Sequence, residues 1–162
     1  MTTEDYNICV DTHADGVYRF ILHSTRDKEF SQDIVQDAFE KMWVHVQNIN
    51  AEKSKSYLYT TAYHTMLEKL RRAKKQGNWE EVNETQYSHN SGHYQGLKEI
   101  VRNALNRLPE IQKTVIMLRD YEGYSYEEIG EITKLKESQV KVYIYRARLA
   151  MKEFIGKLEN VI

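Results

Sequence analysis

One stretch, Leu108–Leu149, restricts the possible folds of this chain more than any other. Its apolar spacing and turn residues predict a helix, a tight turn, a short helix, a brief second turn and a long basic helix. That order is typical of a helix-turn-helix motif, whose second helix enters the major groove of DNA. The stretch therefore predicts a nucleic-acid reader and leaves the long segment before it to be explained.

Local signals mark the ends of these helices. Pro109 suits the first turn of a helix, where its missing N–H costs no hydrogen bond. Gly123 can adopt a positive φ and end the first helix within Tyr121–Tyr124. Ser125 and Glu128 have the spacing of a capping box, which predicts that the short helix begins there.

The last helix of the stretch carries a continuous apolar seam. Its members are spaced four and three residues apart, as one helix face requires: Val140, Ile144, Ala147, Met151 and Phe154. The opposite face holds Ser138, Val142, Tyr145, Arg146 and Leu149, with Lys141 and Arg148 on the flanks. Between Lys134 and Lys152 there are six basic residues and one acidic residue, which suits contact with phosphates. The same pattern also fits a solvated amphipathic helix that binds nothing.

Length and composition predict an all-α protein of two small helical domains. A chain of 162 residues allows one large domain or two small ones, and one proline, seven glycines and few alternating β-branched runs disfavour sheets. The single cysteine, Cys9, excludes a disulfide framework and is interpreted as a small buried residue. Because no apolar run approaches about 18 residues and no signal peptide opens the chain, we expect a cytoplasmic protein.

Three amphipathic segments predict a bundle of three to four helices over residues 1–75. The seams are Val10, Ala14, Val17 and Ile21; Val35, Phe39, Met42 and Val46; and Leu58, Ala62, Met66 and Leu70. We expect the first helix to end near Ser24 and the second to be capped by Ser31. The third should run from Ser56 to Lys75. Residues 76–95 lack an apolar period and are interpreted as a flexible linker before a helix-turn-helix domain at 96–162.

Charge is segregated along the chain. Residues 1–40 hold nine acidic and three basic residues, whereas residues 53–75 hold seven basic residues and one acidic residue, Glu68. Two basic segments separated by an acidic stretch predict two nucleic-acid contacts. In the first, Tyr57, Tyr59 and Tyr63 are interleaved with basic side chains, a combination that suits single strands because rings stack on exposed bases. Tyr59 is the tyrosine expected to belong to the core instead.

Three blocks in this order resemble the sigma-70 family of RNA polymerase sigma factors, of the small extracytoplasmic-function (ECF) type. FSQDIVQDAFEKMW (Phe30–Trp43) is similar to the family's polymerase-binding helix, and YLYTTAYHTMLEKLRR (Tyr57–Arg72) is similar to its reader of the −10 element. The helix-turn-helix stretch is similar to its reader of the −35 element. The resemblance covers residues 10–155 outside the linker.

The resemblance implies roles for individual residues. It implies that the clamp helices of the largest polymerase subunit are contacted by Asp33, Gln36, Asp37 and Glu40. The residues themselves equally fit an acidic solvated face, but glutamine at 36 matches the family pattern, and Phe39 and Trp43 are expected in the core. Contact with the −10 element falls to Lys53, Lys55, Tyr57, Tyr63, His64, Arg71 and Arg72, with one base flipped into a pocket lined by residues 49–55. Contact with the −35 element falls to Ser138, Gln139, Lys141, Val142, Tyr145, Arg146 and Arg148.

The chain departs from the family pattern at several of these positions. Tyr57 replaces the usual Trp and His64 the usual Asn, whereas Gln139, Val142 and Tyr143 replace Thr, Ser and Arg. An apolar Val142 in the groove suits a thymine methyl group. Lys134 replaces the turn glycine, which requires a negative φ or some strain.

The resemblance implies core RNA polymerase and promoter DNA, both duplex and melted, as partners, together with an anti-sigma factor that covers both domains. No cofactor, metal or catalysis by this chain alone is expected. His89 and His93 have helical metal-ligand spacing, but they lie in the linker without a carboxylate or cysteine partner. Two alternatives remain: a stand-alone helix-turn-helix regulator with an N-terminal sensor or dimerisation module, and a helical interaction protein that binds no DNA.

Overall fold

The computed structural model describes residues 1–76 and 95–159, which form α-helices and short connections without any strand. The chain divides into two compact units. The first contains α1 (Thr3–Thr25), α2 (Lys28–Val44) and α3 (Ser54–Gln76). The second contains α4 (Gln95–Asn106), α5 (Glu110–Ile116), α6 (Tyr126–Thr133) and α7 (Glu137–Glu159), except that Glu131–Thr133 at the end of α6 group with the first. The predicted all-α class with two helical domains is thereby confirmed. Most of the predicted linker, with His89 and His93, lies outside the described residues.

The first unit is a bundle in which each of α1, α2 and α3 packs on the other two. Its centre is aromatic, since the Phe20 and Tyr59 rings are fully buried and stack with centroids 5.6 Å apart. The expected burial of Tyr59 is confirmed. Cys9 is also buried, and burial raises the pKa of its thiol, so that it stays protonated and inert near neutral pH.

The α1–α2 connection differs from the prediction. The N-cap of α2 is Asp27, whose carboxylate accepts a hydrogen bond from the backbone N–H of Phe30 at 3.0 Å. The expectation that Ser31 caps this helix is therefore wrong. Ser31 lies buried inside the helix, where its hydroxyl pairs with that of Thr25 at 2.5 Å and satisfies a buried polar group. The chain reaches Asp27 through Arg26, which has a φ of 57°.

The second unit is organised around α7, on which both α4 and α5 pack. Val140, Ile144 and Ala147 are buried as predicted, whereas Met151 and Phe154 are half-buried. The Arg107 guanidinium covers the Phe154 ring at 4.2 Å. The seam therefore becomes less buried toward the end of α7.

The turns before α7 follow the predicted chemistry. A π-helical turn (Met117–Tyr121) continues α5, and Gly123 then takes a φ of 74°. Ser125 and Glu128 form both bonds of the predicted capping box, at 3.1 and 3.0 Å. Lys134, Leu135 and Lys136 connect α6 to α7, and the N–H of Leu135 donates to the Gly130 carbonyl at 3.1 Å.

Lys134 closes α6 in the left-handed region, with a φ of 62°. Because a non-glycine residue costs about 1 kcal/mol there, we expect Lys134→Gly to slow amide hydrogen exchange in α6 and α7 about fivefold. The control is Lys157→Gly inside α7, which should accelerate exchange because glycine weakens a helix interior. Faster exchange in Lys134→Gly would show that no strain is stored at this turn.

Candidate nucleic-acid and protein interfaces

One side of α2 exposes polar side chains at helical spacing. Asp33, Gln36 and Glu40 are exposed, and the 3.6-residue period places them on one face. Asp37 lies at the edge of that face, where its carboxylate is bound by the Lys69 ammonium of α3 at 2.6 Å. The first three residues match the expected exposure of a docking helix, whereas Asp37 already has an intramolecular partner.

Trp43 was expected in the core and is instead 46% exposed. It lies three residues after Glu40 and so extends the same face of α2. Its ring packs at 5.0 Å on Tyr6, whose hydroxyl donates to the Phe39 carbonyl at 3.0 Å. Phe39 itself is half-buried. We refer to Asp33, Gln36, Glu40 and Trp43 as the α2 face.

The aromatic side chains of α3 are mostly directed inward. Tyr63, which the sequence suggested for base stacking, is only 6% exposed and lies 6.4 Å from the Phe20 ring. This corrects the expectation, because a base cannot stack on a ring that is packed in the core. Tyr57 is half-buried, and so is His64, whose ring meets Tyr63 edge-on at 5.4 Å. These two residues remain partly accessible.

The basic residues of this region lie at both ends of α3. Lys53 is exposed just before the helix, and Lys55 extends over the buried Tyr59 ring at 5.6 Å. Arg71 and Arg72 are exposed in the last turns, and Arg72 pairs with Glu68 at 2.6 Å. Exposed ion pairs of this kind contribute little to stability, so these side chains can exchange partners readily.

The loop before α3 consists of two short 3₁₀ turns, Val46–Asn48 and Ala51–Lys53. Ile49 between them is buried and anchors the loop to the bundle. The Asn50 carboxamide accepts from the N–H of Glu52 at 3.0 Å and thereby starts the second turn. The segment expected to line a base pocket is therefore held in place at its centre.

The outer face of α7 is exposed as its periodicity predicted. This holds for Ser138, Gln139, Val142, Tyr145, Arg146 and Leu149. The flanking bases are exposed too, but each is tied to an acid. Lys141 lies 3.5 Å from Glu137, and Arg148 lies 2.6 Å from Asp120. Hydrogen bonding to Asp120 raises the pKa of Arg148 above its usual value, which favours the charged form that arginine already has at neutral pH.

A shallow cavity of about 270 Å³ opens on this face of α7. It is lined by Ser138, Gln139, Val142, Tyr143 and Arg146. Tyr143, which appeared in the sequence only as a departure from a family pattern, is half-buried and forms part of the wall. A hydroxyl, an amide, a guanidinium and an apolar side chain converge here, which are the groups that read base edges.

Sequence reasoning missed a cationic cluster around Tyr126. The Arg119 guanidinium lies 4.5 Å from the centre of its ring, and the Lys141 ammonium lies 5.7 Å from it. Cation–π contact holds both charges beside the α7 face. The three residues come from separate elements, so no spacing in the sequence could have indicated the cluster.

Two kinds of feature are absent from residues 1–76 and 95–159. None of their helices has the length and apolar character needed to cross a bilayer. Within the same ranges, no group of three or more His, Cys, Asp or Glu side chains is placed to hold a metal ion.

Comparison with known proteins adds family matches over both units. Residues 9–76 match the family model of sigma-70 region 2, and residues 98–151 match that of sigma-70 region 4. Among curated proteins, RNA polymerase sigma factor SigV of Bacillus subtilis is 32% identical over 146 residues, covering 89% of this chain and 87% of SigV. ECF RNA polymerase sigma factor SigM of the same organism is 24% identical over 152 residues, covering 91% of this chain and 93% of SigM.

Solved structures show a similar fold. The sigma factor RpoE, in complex with the anti-sigma factor NepR from Bartonella quintana, aligns with a TM-score of 0.79 at 21% identity, over 95% of this chain and 98% of that one. CnrH, in complex with the cytosolic domain of CnrY, aligns with a TM-score of 0.67 at 18% identity, over 94% and 88%.

Proposed function

This chain belongs to the sigma-70 family of RNA polymerase sigma factors, in its extracytoplasmic-function type, and we propose which of its surfaces perform each step of promoter recognition. Its function is to direct core polymerase to specific promoters and to assist their melting. The observation that carries this conclusion is the pair of region 2 and region 4 matches in order, at residues 9–76 and 98–151. A stand-alone regulator is not favoured, because region 2 occupies the segment where a sensor module would lie.

Core polymerase binds the α2 face in this proposal. Its acidic and amide side chains suit a basic partner surface, and the clamp helices of the largest subunit offer one by family resemblance. Trp43 adds an exposed aromatic ring, the residue type enriched at the centres of protein interfaces. Asp37 contributes less than expected, because binding to polymerase has to compete with its ion pair to Lys69.

The −10 element contacts the loop before α3 and the accessible part of that helix. Lys53, Lys55, Arg71 and Arg72 follow the phosphates, whereas Tyr57 and His64 meet unstacked bases. Tyr63 supports this surface from the core and does not touch DNA. A base flipped from the duplex would lie against residues 49–55, the loop anchored by Ile49.

The −35 element contacts the exposed face of α7. Arg146, Gln139 and Val142 surround the cavity and face base edges. Lys141 and Arg148 meet phosphates beside the groove, where their charges are positioned by Tyr126 and Asp120. Duplex binding through phosphates should therefore weaken steeply with salt.

The proposed domains, cellular location and regulatory partner follow from these three binding surfaces. Residues 1–75 form the region 2-like domain, residues 96–162 the region 4-like domain, and residues 76–95 the linker. The chain catalyses no reaction itself, because RNA synthesis belongs to the polymerase, and it acts in the cytoplasm with that enzyme. In the solved structures of similar fold, RpoE is in complex with the anti-sigma factor NepR and CnrH is in complex with the cytosolic domain of CnrY. An anti-sigma factor is the corresponding partner proposed here.

Run-off transcription tests the proposal as a whole. Core polymerase reconstituted with this chain should initiate at a defined promoter that core enzyme alone does not use. DNA protected by the holoenzyme should include both the −35 and the −10 regions. Failure to bind core polymerase, or initiation no better than with core enzyme alone, would contradict the proposal.

Gln36→Ala should weaken binding to core polymerase roughly tenfold, a loss typical of truncating a central contact residue. Fluorescence anisotropy of labelled chain titrated with core enzyme measures this directly. Gln76→Ala is the matched control, because Gln76 is exposed at the last residue of α3 and is not part of the α2 face. Equal losses in both variants, or none in Gln36→Ala, would remove Gln36 from the interface.

A further inference from the structure

Gln139 and Val142 occupy neighbouring positions on the exposed side of α7. They are three residues apart, which places their Cβ atoms roughly 5–6 Å from each other on one helix face. Both line the cavity of about 270 Å³. A single base edge that enters the cavity can therefore meet both side chains at once.

The carboxamide of Gln139 is oriented by a hydrogen bond to the backbone of Lys136. Its Oε1 accepts a hydrogen bond from the N–H of Lys136 at 3.0 Å, at the start of α7. Because an N–H can bond only to the oxygen of a carboxamide, this contact turns the Gln139 oxygen toward the backbone and leaves the NH₂ group as the outward, donating end. A glutamine that reads adenine needs both a donor and an acceptor directed at the base. Gln139 is instead arranged to find an acceptor.

Val142 supplies the apolar half of the site. Its side chain is 45% exposed, although the surface around it is polar and basic. A methyl group placed against this side chain would remove apolar surface from water, which is favourable in free energy. The pair thus combines a fixed donor with an adjacent apolar contact.

We propose that Gln139 and Val142 together read one thymine of the upstream promoter element. The Gln139 NH₂ group donates to O4, and Val142 contacts the C5-methyl group. In the major groove only thymine presents an acceptor beside a methyl group, because cytosine offers a donor there and guanine has no methyl. The inference rests on the proposed function, since it takes α7 as the −35 reader.

Selection from a DNA library tests the inference first. Holoenzyme made from the full chain is allowed to select duplexes randomised over the upstream element, and Gln139→Glu and Val142→Ala holoenzymes are treated identically. Wild type should select thymine at one position. Glutamate keeps an oxygen for the Lys136 N–H but has no donor, so the preference at that position should change from thymine to cytosine, whose amino group donates. Val142→Ala should keep the position but weaken the thymine preference.

Modified bases at the selected position then separate the two contacts. In wild type, uracil should weaken binding roughly threefold to fourfold because one methyl contact is lost. 5-Methylcytosine keeps the methyl group but replaces O4 with a donor, and should weaken binding about tenfold. Val142→Ala should no longer distinguish thymine from uracil, yet should still discriminate against 5-methylcytosine.

The outcomes are distinguishable. Selection of a defined upstream sequence without a thymine, or the same uracil penalty in wild type and Val142→Ala, overturns the inference and leaves the proposed function intact. Selection of no upstream sequence at all overturns both.

Discussion

Gly130→Ala is expected to abolish recognition of the −35 element while leaving core polymerase binding through the α2 face intact. Gly130 lies buried in α6, and a Cβ built on it would lie 2.8 Å from the Leu135 carbonyl oxygen. That oxygen belongs to the backbone of the turn that joins α6 to α7, so relief requires the turn itself to move. The same turn is tied to Gly130 by the Leu135 N–H.

The expected effect of Gly130→Ala on stability is opposite in sign to that of most glycine-to-alanine substitutions in helices. Glycine to alanine within a helix normally stabilises by about 0.5–1 kcal/mol. Overpacking a buried site costs about 1–3 kcal/mol, and here the neighbour is backbone that cannot rotate away. The free-energy cost of the steric clash therefore exceeds the gain in helix propensity, and we expect α7 to be displaced relative to α6. A recognition helix displaced by even about an ångström loses the geometry that base contacts need.

Amide hydrogen exchange and promoter binding measure the two consequences. Exchange in α6 and α7 should accelerate in Gly130→Ala, whereas exchange in α1 to α3 should remain at the wild-type rate. Gly156→Ala is the matched control. Gly156 is also helical but has open space around a built Cβ, so exchange in α7 should slow slightly there. Wild-type promoter affinity in Gly130→Ala would show that the turn accommodates a methyl group at no cost.

Periodicity and capping chemistry were sufficient to predict most of the helices. The α7 seam and the capping box at Ser125–Glu128 depend only on spacings within a few residues, so they could be read without tertiary information. The positive φ of Gly123 follows from the same local reasoning. Local signals of this kind determine where a helix begins and which side of it is apolar.

The predictions that were wrong concern residues whose burial or hydrogen bonding depends on the neighbouring helices. Ser31 and Asp27 are both good N-caps by residue type. Ser31 lies within α2 because its hydroxyl pairs with the buried hydroxyl of Thr25, and Asp27 takes the N-cap position. Tyr63 and Trp43 are aromatic residues on amphipathic helices, and their exposure depends on where Phe20 and Tyr6 lie on α1. No spacing in α2 or α3 specifies that geometry. The same holds for the ion pair of Asp37 with Lys69, which joins two helices.

Arg146→Ala is expected to weaken binding to the −35 element about tenfold to a hundredfold while leaving core polymerase binding unchanged. Arg146 is exposed on the α7 face and lines the same cavity as Gln139 and Val142. A guanidinium that binds a base edge with two hydrogen bonds contributes about 1–3 kcal/mol of discrimination. Holoenzyme titrated with upstream duplex measures the loss, and Arg102→Ala is the control because Arg102 is an exposed arginine on α4 that does not line the cavity.

Salt dependence decides which kind of contact Arg146 makes. If it reads a base, Arg146→Ala should relax sequence preference at one position and leave the slope of log K against log[salt] close to wild type. A phosphate contact would instead weaken all sequences alike and reduce the slope by roughly one unit. Arg146 lies beside Gln139 and Val142 in the cavity, whereas Arg148 lies on the flank of α7. This location favours a base contact for Arg146. Unchanged affinity in Arg146→Ala, or an equal loss in Arg102→Ala, would exclude Arg146 from the −35 reading surface.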